Sequence, residues 1–282
     1  MEGESQSSQG IVPLHTSPKG QNIILHKVYN REKAKLARLI DGDPVSFLHR
    51  YADSRDKEIA GFIASQFAYG NIKAMKAFLA DLFDRMGESP YAFVTRGDLS
   101  MLRPLYYRFH KGKEIVDLFK TLRRILEEYG SIGAALEAHY DGDIREALWR
   151  LRKRYFGSNG DRLIFFFPKQ LPSNPLKRWN LYLRWMVRQD TIDTGIWKFV
   201  KKRDLTVPLD THIFKIGRCL GWTARQAQSW NAACDITRAL RKMSPDDPLK
   251  YDFFLCHVVG IGAGCTGVKS AACLERCMLY EV

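Results

Sequence analysis

The chain has 282 residues, of which 45% are hydrophobic and 27% are charged, a composition typical of globular proteins with a sizeable core. It carries 44 Lys and Arg residues against 31 Asp and Glu residues, which gives a formal net charge of +13. These values exclude a wholly disordered chain, a collagen and a coiled coil, and the sequence predicts no membrane association. The basic balance favours a polyanionic partner such as nucleic acid, with a solvated basic surface as the alternative.

Residues 1–22 are rich in Ser, Gly and Gln and contain two prolines, which predicts a flexible tail. This segment has neither the basic start nor the apolar stretch of a secretion signal. The chain is also long enough to fold without a disulfide framework, although it has six cysteines. We therefore expect a cytoplasmic, monomeric protein, which in a bacterium would be associated with the nucleoid.

The segments after residue 22 repeat the apolar period of amphipathic helices, and no alternating strand pattern competes with it. The first clear helix is predicted to begin after Asp53 or Ser54 and to stop at Gly70, and the next two are predicted to end at Gly87 and Gly130. Two further helical segments follow, SIGAALEAHY and DIREALWRLRKRYFG. The predicted fold class is all-α.

The segment LPSNPLKRWNLYLRWMVRQ begins as a turn and enters a helix near Leu176 that is apolar on nearly all sides, which predicts a buried helix. Lys177 and Arg178 stand in its first turn, where the helix dipole disfavours positive charge. Burial and the dipole would lower the pKa of Lys177, and a neutral lysine is a nucleophile that can form a Schiff base. The alternative is a lysine whose amine only reaches solvent from the helix end.

The segment VPLDTHIFKIGRCLGW predicts a helix that begins after Asp210 and ends at Gly221. A carboxylate there could accept the lysine proton and stabilise positive charge on a sugar ring while a glycosidic bond breaks. Asp210 can equally be an N-cap and nothing more. Asp190 and Asp193 are the alternatives to Asp210 as the acidic group.

Basic and aromatic residues surround this part of the sequence. The basic side chains are candidates for phosphate contacts beside a cleft, with a solvated basic face as the alternative. Trp179 could stack on an extruded base or belong to the core, and His212 lies next to the acidic residue. The candidate phosphate contacts are Arg178, Arg184, Arg188, Lys198, Lys201 and Lys202.

The run VPLDTHIFKIGRCLG resembles the catalytic segment of the helix-hairpin-helix (HhH-GPD) DNA glycosylase superfamily, typified by endonuclease III. LPSNPLKRW resembles the family's hairpin, although Ser173 and Pro175 replace its glycines. IASQFAYG resembles the helix whose glutamine probes the opened DNA stack. The resemblance implies that Asp210 is the catalytic carboxylate, Lys177 the Schiff-base lysine and Gln66 the wedge residue.

The stretched interval between Lys177 and Asp210 resembles that of the archaeal 8-oxoguanine DNA glycosylases. The run from Phe47 to Val259 looks most like a widespread bacterial family of unassigned function in the same superfamily. The resemblance implies a cleft between two helical lobes. One lobe would comprise residues 50–200, with a hairpin-like segment at 171–188, and the other residues 23–49 and 201–282.

The activity implied by this resemblance is a DNA repair glycosylase that removes a damaged base from double-stranded DNA, with an AP-lyase step through the lysine. An oxidised purine is the substrate class that the archaeal branch suggests. Two alternatives are a monofunctional glycosylase in which Asp210 activates water, and a non-catalytic relative that binds DNA or RNA.

The C-terminal cysteines raise the question of a cofactor. Endonuclease III ends in four cysteines that hold a [4Fe–4S] cluster, whereas the spacing here is different, and unligated reduced thiols are the favoured interpretation. We therefore expect no cofactor, with a [4Fe–4S] cluster as the alternative. Its ligands would be Cys265, Cys273 and Cys277, with Cys256 as the fourth, or else Cys234 or His257.

Overall fold

The computed structural model describes residues 18–157 and 163–280. These residues form helices and turns with a single short hairpin of strands, so the all-α prediction is confirmed. No helix in the described ranges is long and apolar enough to cross a membrane. The α-helices are α1 Pro18–Glu32, α2 Ser54–Gln66, α3 Ile72–Met86, α4 Pro90–Arg96, α5 Gly112–Tyr129, α6 Ile132–Glu137, α7 Ile144–Phe156, α8 Lys177–Val187, α9 Thr211–Cys219, α10 Trp230–Met243, α11 Asp252–Phe254 and α12 Cys273–Arg276.

Shorter elements connect these helices. The tail predicted for residues 1–22 is corrected at its end, because α1 already begins at Pro18, and residues 1–17 lie outside the described part of the chain. A two-stranded antiparallel hairpin, which the sequence did not predict, precedes α5. The strands are β1 Tyr106–Tyr107 and β2 His110–Lys111, the 3-10 segments are Lys33–Gly42, Pro44–Arg50, Leu99–Leu102 and Lys202–Asp204, and a π-helix, Leu255–Gly262, continues α11.

Local signals in the sequence set several helix ends as predicted. The Asp53 side chain accepts a hydrogen bond from the backbone N–H of Arg55 and caps α2. Gly130 ends α5 in the left-handed region at φ 79°, which glycine adopts without the steric penalty of a Cβ. These ends are encoded within a few residues, so they follow from short-range chemistry alone.

Helix α8 lies in the core and packs against α2. Tyr182 and Trp185 are fully buried, which confirms the prediction of a buried helix. The Phe62 ring of α2 contacts the Trp179 ring at a centroid distance of 5.4 Å, and the Tyr182 ring contacts Trp197 at 5.0 Å. Such edge-to-face pairs add to the free energy gained by burying aromatic surface. The position of α8 is therefore determined by packing on several sides.

Helix α9 packs against the π-helix. The approach is close at Gly260, where an added Cβ would lie 2.6 Å from the His212 Cβ. The 3-10 segment Pro44–Arg50 packs against α2. The buried apolar side chains of the described residues form one continuous core, so the division into two lobes stays a prediction.

A buried network of ion pairs joins α8 to α11 and to the loop after α8. The Arg184 guanidinium pairs with Asp193 at 3.1 Å and also with Asp252, and its side chain is only 4% exposed. Arg188 pairs with Asp193 and, at 2.8 Å, with Asp247. Burial opposes the charge on Arg184, but Asp193 and Asp252 nevertheless raise its pKa above the ordinary value. The network therefore holds charged arginines inside the protein.

We expect Arg184→Met to lower the free energy of unfolding by about 3–5 kcal/mol, because the substitution leaves the buried Asp252 carboxylate without its cation and removes one of the two arginines that pair with Asp193. Urea unfolding followed by circular dichroism measures this loss. The matched control is Arg154→Met, because the pair of Arg154 with Glu128 is exposed to solvent and such surface ion pairs contribute little to stability. Equal losses in the two variants would contradict a structural role for the buried network.

Candidate active site

Lys177 is the first residue of α8. The preceding residue, Leu176, is left-handed (φ 53°, ψ 33°) and provides no side-chain cap, and its N–H donates to Asn174 Oδ1 at 2.9 Å. The Lys177 side chain is half-buried, and its Nζ donates to the carbonyl oxygen of Ala68 at 3.0 Å. No carboxylate of the described residues forms an ion pair with this amine. The amine therefore has a neutral acceptor as its partner.

Lys177 and Arg178 both contact the segment at the carboxyl end of α2. Arg178 Nη1 donates to the Gln66 carbonyl at 3.2 Å, and Nη2 donates to the Phe165 carbonyl. The last carbonyls of a helix lack intrahelical donors and carry negative partial charge, which favours cations there. The carbonyls at the carboxyl end of α2 therefore explain why the first turn of α8 carries two positive side chains. Burial lowers the pKa of Arg178 to about 10, so this side chain stays charged at neutral pH.

Gln66 does not lie where a DNA wedge would have to be. Its side chain is fully buried, Nε2 approaches the Ser65 hydroxyl at 3.4 Å, and Oε1 has no hydrogen-bond partner within the described residues. The wedge prediction does not hold in this conformation, because Gln66 ends a helix whose last turn is covered by Arg178.

Asp210 caps α9, as the sequence predicted. Oδ1 accepts the backbone N–H of Ile213 at 2.7 Å, and Oδ2 accepts the Cys256 thiol at a sulfur–oxygen distance of 3.3 Å. Burial, with the Asp210 charge as the next contribution, raises the pKa of Cys256 well above its ordinary value. Cys256 is therefore a protonated thiol that donates to the carboxylate.

The buried ion-pair network connects α8, the helix that carries Lys177, with the region around Asp210. Lys177 and Arg184 are seven residues apart and lie on one face of α8, separated by about 10 Å along the helix axis. Arg184 binds Asp252. Asp252 lies one helical turn before Cys256, whose thiol donates to Asp210. Burial, and to a lesser extent the charge of Asp210, raises the pKa of Asp252. Lys177 thus lies at the start of one face of α8. Two turns further along the same face, Arg184 binds Asp252, which lies in the region of Asp210.

Four further predicted site residues have structural roles. Arg184 and Arg188 are buried in ion pairs, so the prediction that they contact DNA phosphates is wrong for this conformation. Asp193 lies between these arginines and is not a free acid. Trp179 is 2% exposed, and its indole N–H donates to the Phe166 carbonyl at 2.7 Å, which makes it a core residue.

The predicted basic connector is exposed and forms a groove, which we call the basic groove. Lys198, Lys201 and Lys202 line it together with Arg203 and Gln189, and its volume is about 510 Å³. It lies at the carboxyl end of α8, because Val187 also lines it. The length of α8 separates it from Lys177 by about 15 Å, which corresponds to about four base-pair steps of DNA.

The sequence missed the contact between Cys256 and Asp210. These residues are 46 positions apart, so no short-range spacing rule could pair them. Cys256 lies in the π-helix, and π-helical turns often occur at functional sites. His212, predicted to lie near the site, packs against Gly260, and its Nδ1 has no partner among the described residues.

The predicted cluster ligands do not form one set. Cys256 contacts Asp210, whereas Cys219 lines a cavity of about 100 Å³ together with the other three predicted cysteines. Within the described residues, no three His, Cys, Asp or Glu side chains are arranged to hold a metal ion. The set that includes Cys256 therefore does not fit an iron–sulfur cluster. The three cysteines that line the cavity with Cys219 are Cys265, Cys273 and Cys277.

We expect Asp210→Asn to accelerate alkylation of Cys256 by iodoacetamide at pH 8. The negative charge of Asp210 helps to raise the Cys256 pKa, so removing it lowers the pKa and increases the thiolate fraction, about tenfold per pKa unit. Peptide mass spectrometry measures the rate, and Cys234 in the same protein is the internal control. An unchanged ratio of the Cys256 rate to the Cys234 rate would contradict the contact.

Comparison with known proteins identifies the family of the chain. No curated protein and no solved structure matches it. Residues 43–261, which include Lys177, Asp210 and Cys256, match the family described as "Protein of unknown function (DUF2400)". The match spans more than half of the chain, so the protein belongs to the DUF2400 family.

Proposed function

We propose that the protein is a DNA glycosylase that uses Lys177 and Asp210 to remove a damaged base. The observation that carries the proposal is the environment of Lys177. This residue is the first of a buried helix, and its amine has a carbonyl rather than a carboxylate as its partner. No carboxylate of the described residues competes for this amine, and a lysine amine is the nucleophile that the proposed reaction requires.

In the proposed reaction, Lys177 Nζ attacks C1′ of the damaged nucleotide. The new C–N bond replaces the glycosidic bond, and the base leaves with the bonding electrons and takes up a proton. Asp210 stabilises the positive charge that develops on the sugar and accepts the proton from the amine. Opening of the sugar ring gives a Schiff base, from which β-elimination can cleave the strand.

The substrate we propose is double-stranded DNA with a damaged base, and an oxidised purine is the first lesion to test. A duplex held at Lys177 would extend about four base pairs before it reached the level of the basic groove. Lys198, Lys201 and Lys202 are exposed there and can contact phosphates. This substrate corresponds to a cytoplasmic protein, which would be associated with the nucleoid if it is bacterial.

A second candidate is a non-catalytic DNA- or RNA-binding protein. The observation that favours it is that both proposed catalytic residues have structural partners. Asp210 uses one oxygen to cap α9 and the other to accept the Cys256 thiol, and Lys177 binds the Ala68 carbonyl. A third candidate is a monofunctional glycosylase, in which Asp210 activates water and the lysine forms no covalent bond.

We expect borohydride to trap a covalent complex between the full-length protein and duplex DNA that contains 8-oxoguanine or an abasic site. Reduction converts the Schiff base into a stable amine, which electrophoresis detects. Lys177→Ala should abolish trapping on both substrates. Asp210→Asn should slow base release at least a hundredfold, because general acid–base catalysis contributes about 10²–10⁴-fold. Lys120→Ala, at an exposed site on α5, should trap as the wild type does.

The other outcomes distinguish the candidates. Base release without a trapped complex would support the monofunctional glycosylase. Binding of the duplex without base release from a panel of lesions would support the non-catalytic protein. A complex that persisted in Lys177→Ala would show that another lysine is the nucleophile. Circular dichroism of each variant separates a catalytic effect from loss of the fold.

We expect the double variant Lys201→Glu/Lys202→Glu to bind duplex DNA more weakly, whatever its sequence. Each lost phosphate contact should reduce the slope of log K against log salt by about one. Fluorescence anisotropy at several salt concentrations measures the slope. The control is Lys113→Glu/Lys120→Glu, which makes the same change of charge on the exposed face of α5. Equal losses of affinity in the two double variants would mean that net charge, and not the basic groove, determines binding.

A further inference from the structure

The hairpin β1–β2 carries two exposed aromatic rings. Tyr106 is 64% exposed and Phe109 is 56% exposed, and no other tyrosine, phenylalanine or tryptophan side chain in residues 18–157 and 163–280 is exposed. Large aromatic rings gain free energy when they leave water, so a pair of them on one exposed hairpin marks a candidate binding surface. We propose that these two rings form a stacking site for unpaired bases of DNA.

The turn between the two strands has a conformation that favours glycine. Tyr107 pairs with His110, so Arg108 and Phe109 are the two turn residues, and Arg108 is left-handed at φ 55°. Two-residue hairpin turns usually place glycine or asparagine at such a position, because a longer side chain is strained there. Strained residues of this kind cluster at functional sites. The chain thus keeps a cation and an aromatic ring at the tip of the hairpin despite the strain, which favours a binding role.

The inner face of the hairpin holds the exposed rings in place. The Tyr107 hydroxyl donates to the Tyr69 carbonyl, which follows α2, and the Tyr107 ring stacks on Phe78 at a centroid distance of 4.7 Å. The His110 ring is buried and contacts the Phe109 ring at 4.5 Å. A ring that is already immobilised loses little conformational entropy when a ligand packs on it. The hairpin therefore presents its rings in a preorganised position.

A row of contacts connects the hairpin with Lys177. The Phe109 ring lies 5.1 Å from the Phe165 ring, and the guanidinium carbon of Arg178 lies 3.5 Å from the centroid of Phe165. Arg178 is the next residue after Lys177, whose amine binds the Ala68 carbonyl. A base stacked on the hairpin would therefore lie close to the nucleotide that the proposed function places at Lys177, and in this respect the inference rests on that function.

Unpaired nucleobases suit this surface better than an apolar partner does. Arg108 and Lys111 are exposed on the same hairpin as the two rings, and their charges can pair with the phosphates on either side of a stacked base. Every base has a π-face that can stack on a protein ring, but in an intact duplex these faces cover each other. The substrate class that follows is DNA with an unpaired stretch, such as a bubble, beside the damaged nucleotide.

The test is fluorescence anisotropy of the full-length protein with three undamaged DNAs of equal length and charge. The first is an intact duplex, and the second is a duplex with a short central bubble. The third is the same bubble with tetrahydrofuran abasic sites in place of its bases, which cannot form a Schiff base. We expect the wild type to bind the bubble with bases at least about fivefold more tightly than the other two, because removal of one stacking ring typically weakens binding by about 5–100-fold.

Substitutions of Phe109 test the ring itself. Phe109→Leu should abolish the preference for the bubble, because leucine keeps an apolar contact with Phe165 but has no ring face. Phe109→Trp should retain the preference. The matched control is Leu274→Ala, which removes an exposed apolar side chain from α12 and should also retain it. Circular dichroism of each variant checks that the fold is intact.

The remaining outcomes separate this inference from the proposed function. A preference for the bubble that persisted in Phe109→Leu, or with abasic sites in place of the bases, would overturn the stacking site. Tighter binding of an RNA bubble of the same sequence would overturn the assignment to DNA, and a changed oligomeric state of Phe109→Leu would assign the ring to an interface between copies instead. A Phe109-dependent preference without base release from any lesion would support the stacking site and contradict the glycosylase. Base release without such a preference would do the reverse.

Discussion

The charge of Arg184 inside the protein is the constraint on which the arrangement of the candidate site depends. A guanidinium removed from water needs its carboxylates close by, because an unpaired buried charge is strongly destabilising. Asp193 and Asp252 meet this need, and they belong to the loop after α8 and to α11. Helix α8 therefore cannot shift relative to α11 without separating these charges. This fixes the start of α8, with Lys177, relative to the region around Asp210.

A second constraint lies at the start of α8, where two helix ends meet. The amino end of α8 disfavours cations, while the carboxyl end of α2 favours them. Lys177 and Arg178 supply hydrogen-bond donors at the carboxyl end of α2, where they bind the carbonyls of Ala68 and Gln66. Arg178 is well suited to a permanent contact because its guanidinium stays charged at neutral pH. Of this pair, Lys177 is the side chain that the proposed reaction uses.

The sequence predicted features that depend on neighbouring residues and missed those that depend on distant ones. The Asp210 cap, the stop at Gly130 and the burial of α8 follow from local patterns, and the structure contains all three. Arg184 was misjudged because its partner Asp252 lies 68 residues away, and an arginine near a basic segment resembles a phosphate ligand. Cys256 was misassigned for the same reason, since spacing along the chain cannot show that its thiol meets Asp210.

The role of Asp210 as a cap does not conflict with the proposed chemistry. A carboxylate has two oxygens and about four acceptor positions. The Ile213 amide takes one position on Oδ1, and the Cys256 thiol takes one on Oδ2. Both donors hold the side chain in one orientation, and each oxygen keeps a further lone pair. An acid that must face a sugar cation gains from such fixed orientation, because it needs no reorganisation when the charge develops. The two hydrogen bonds that give Asp210 its structural role are therefore the same contacts that would orient its carboxylate in the proposed reaction.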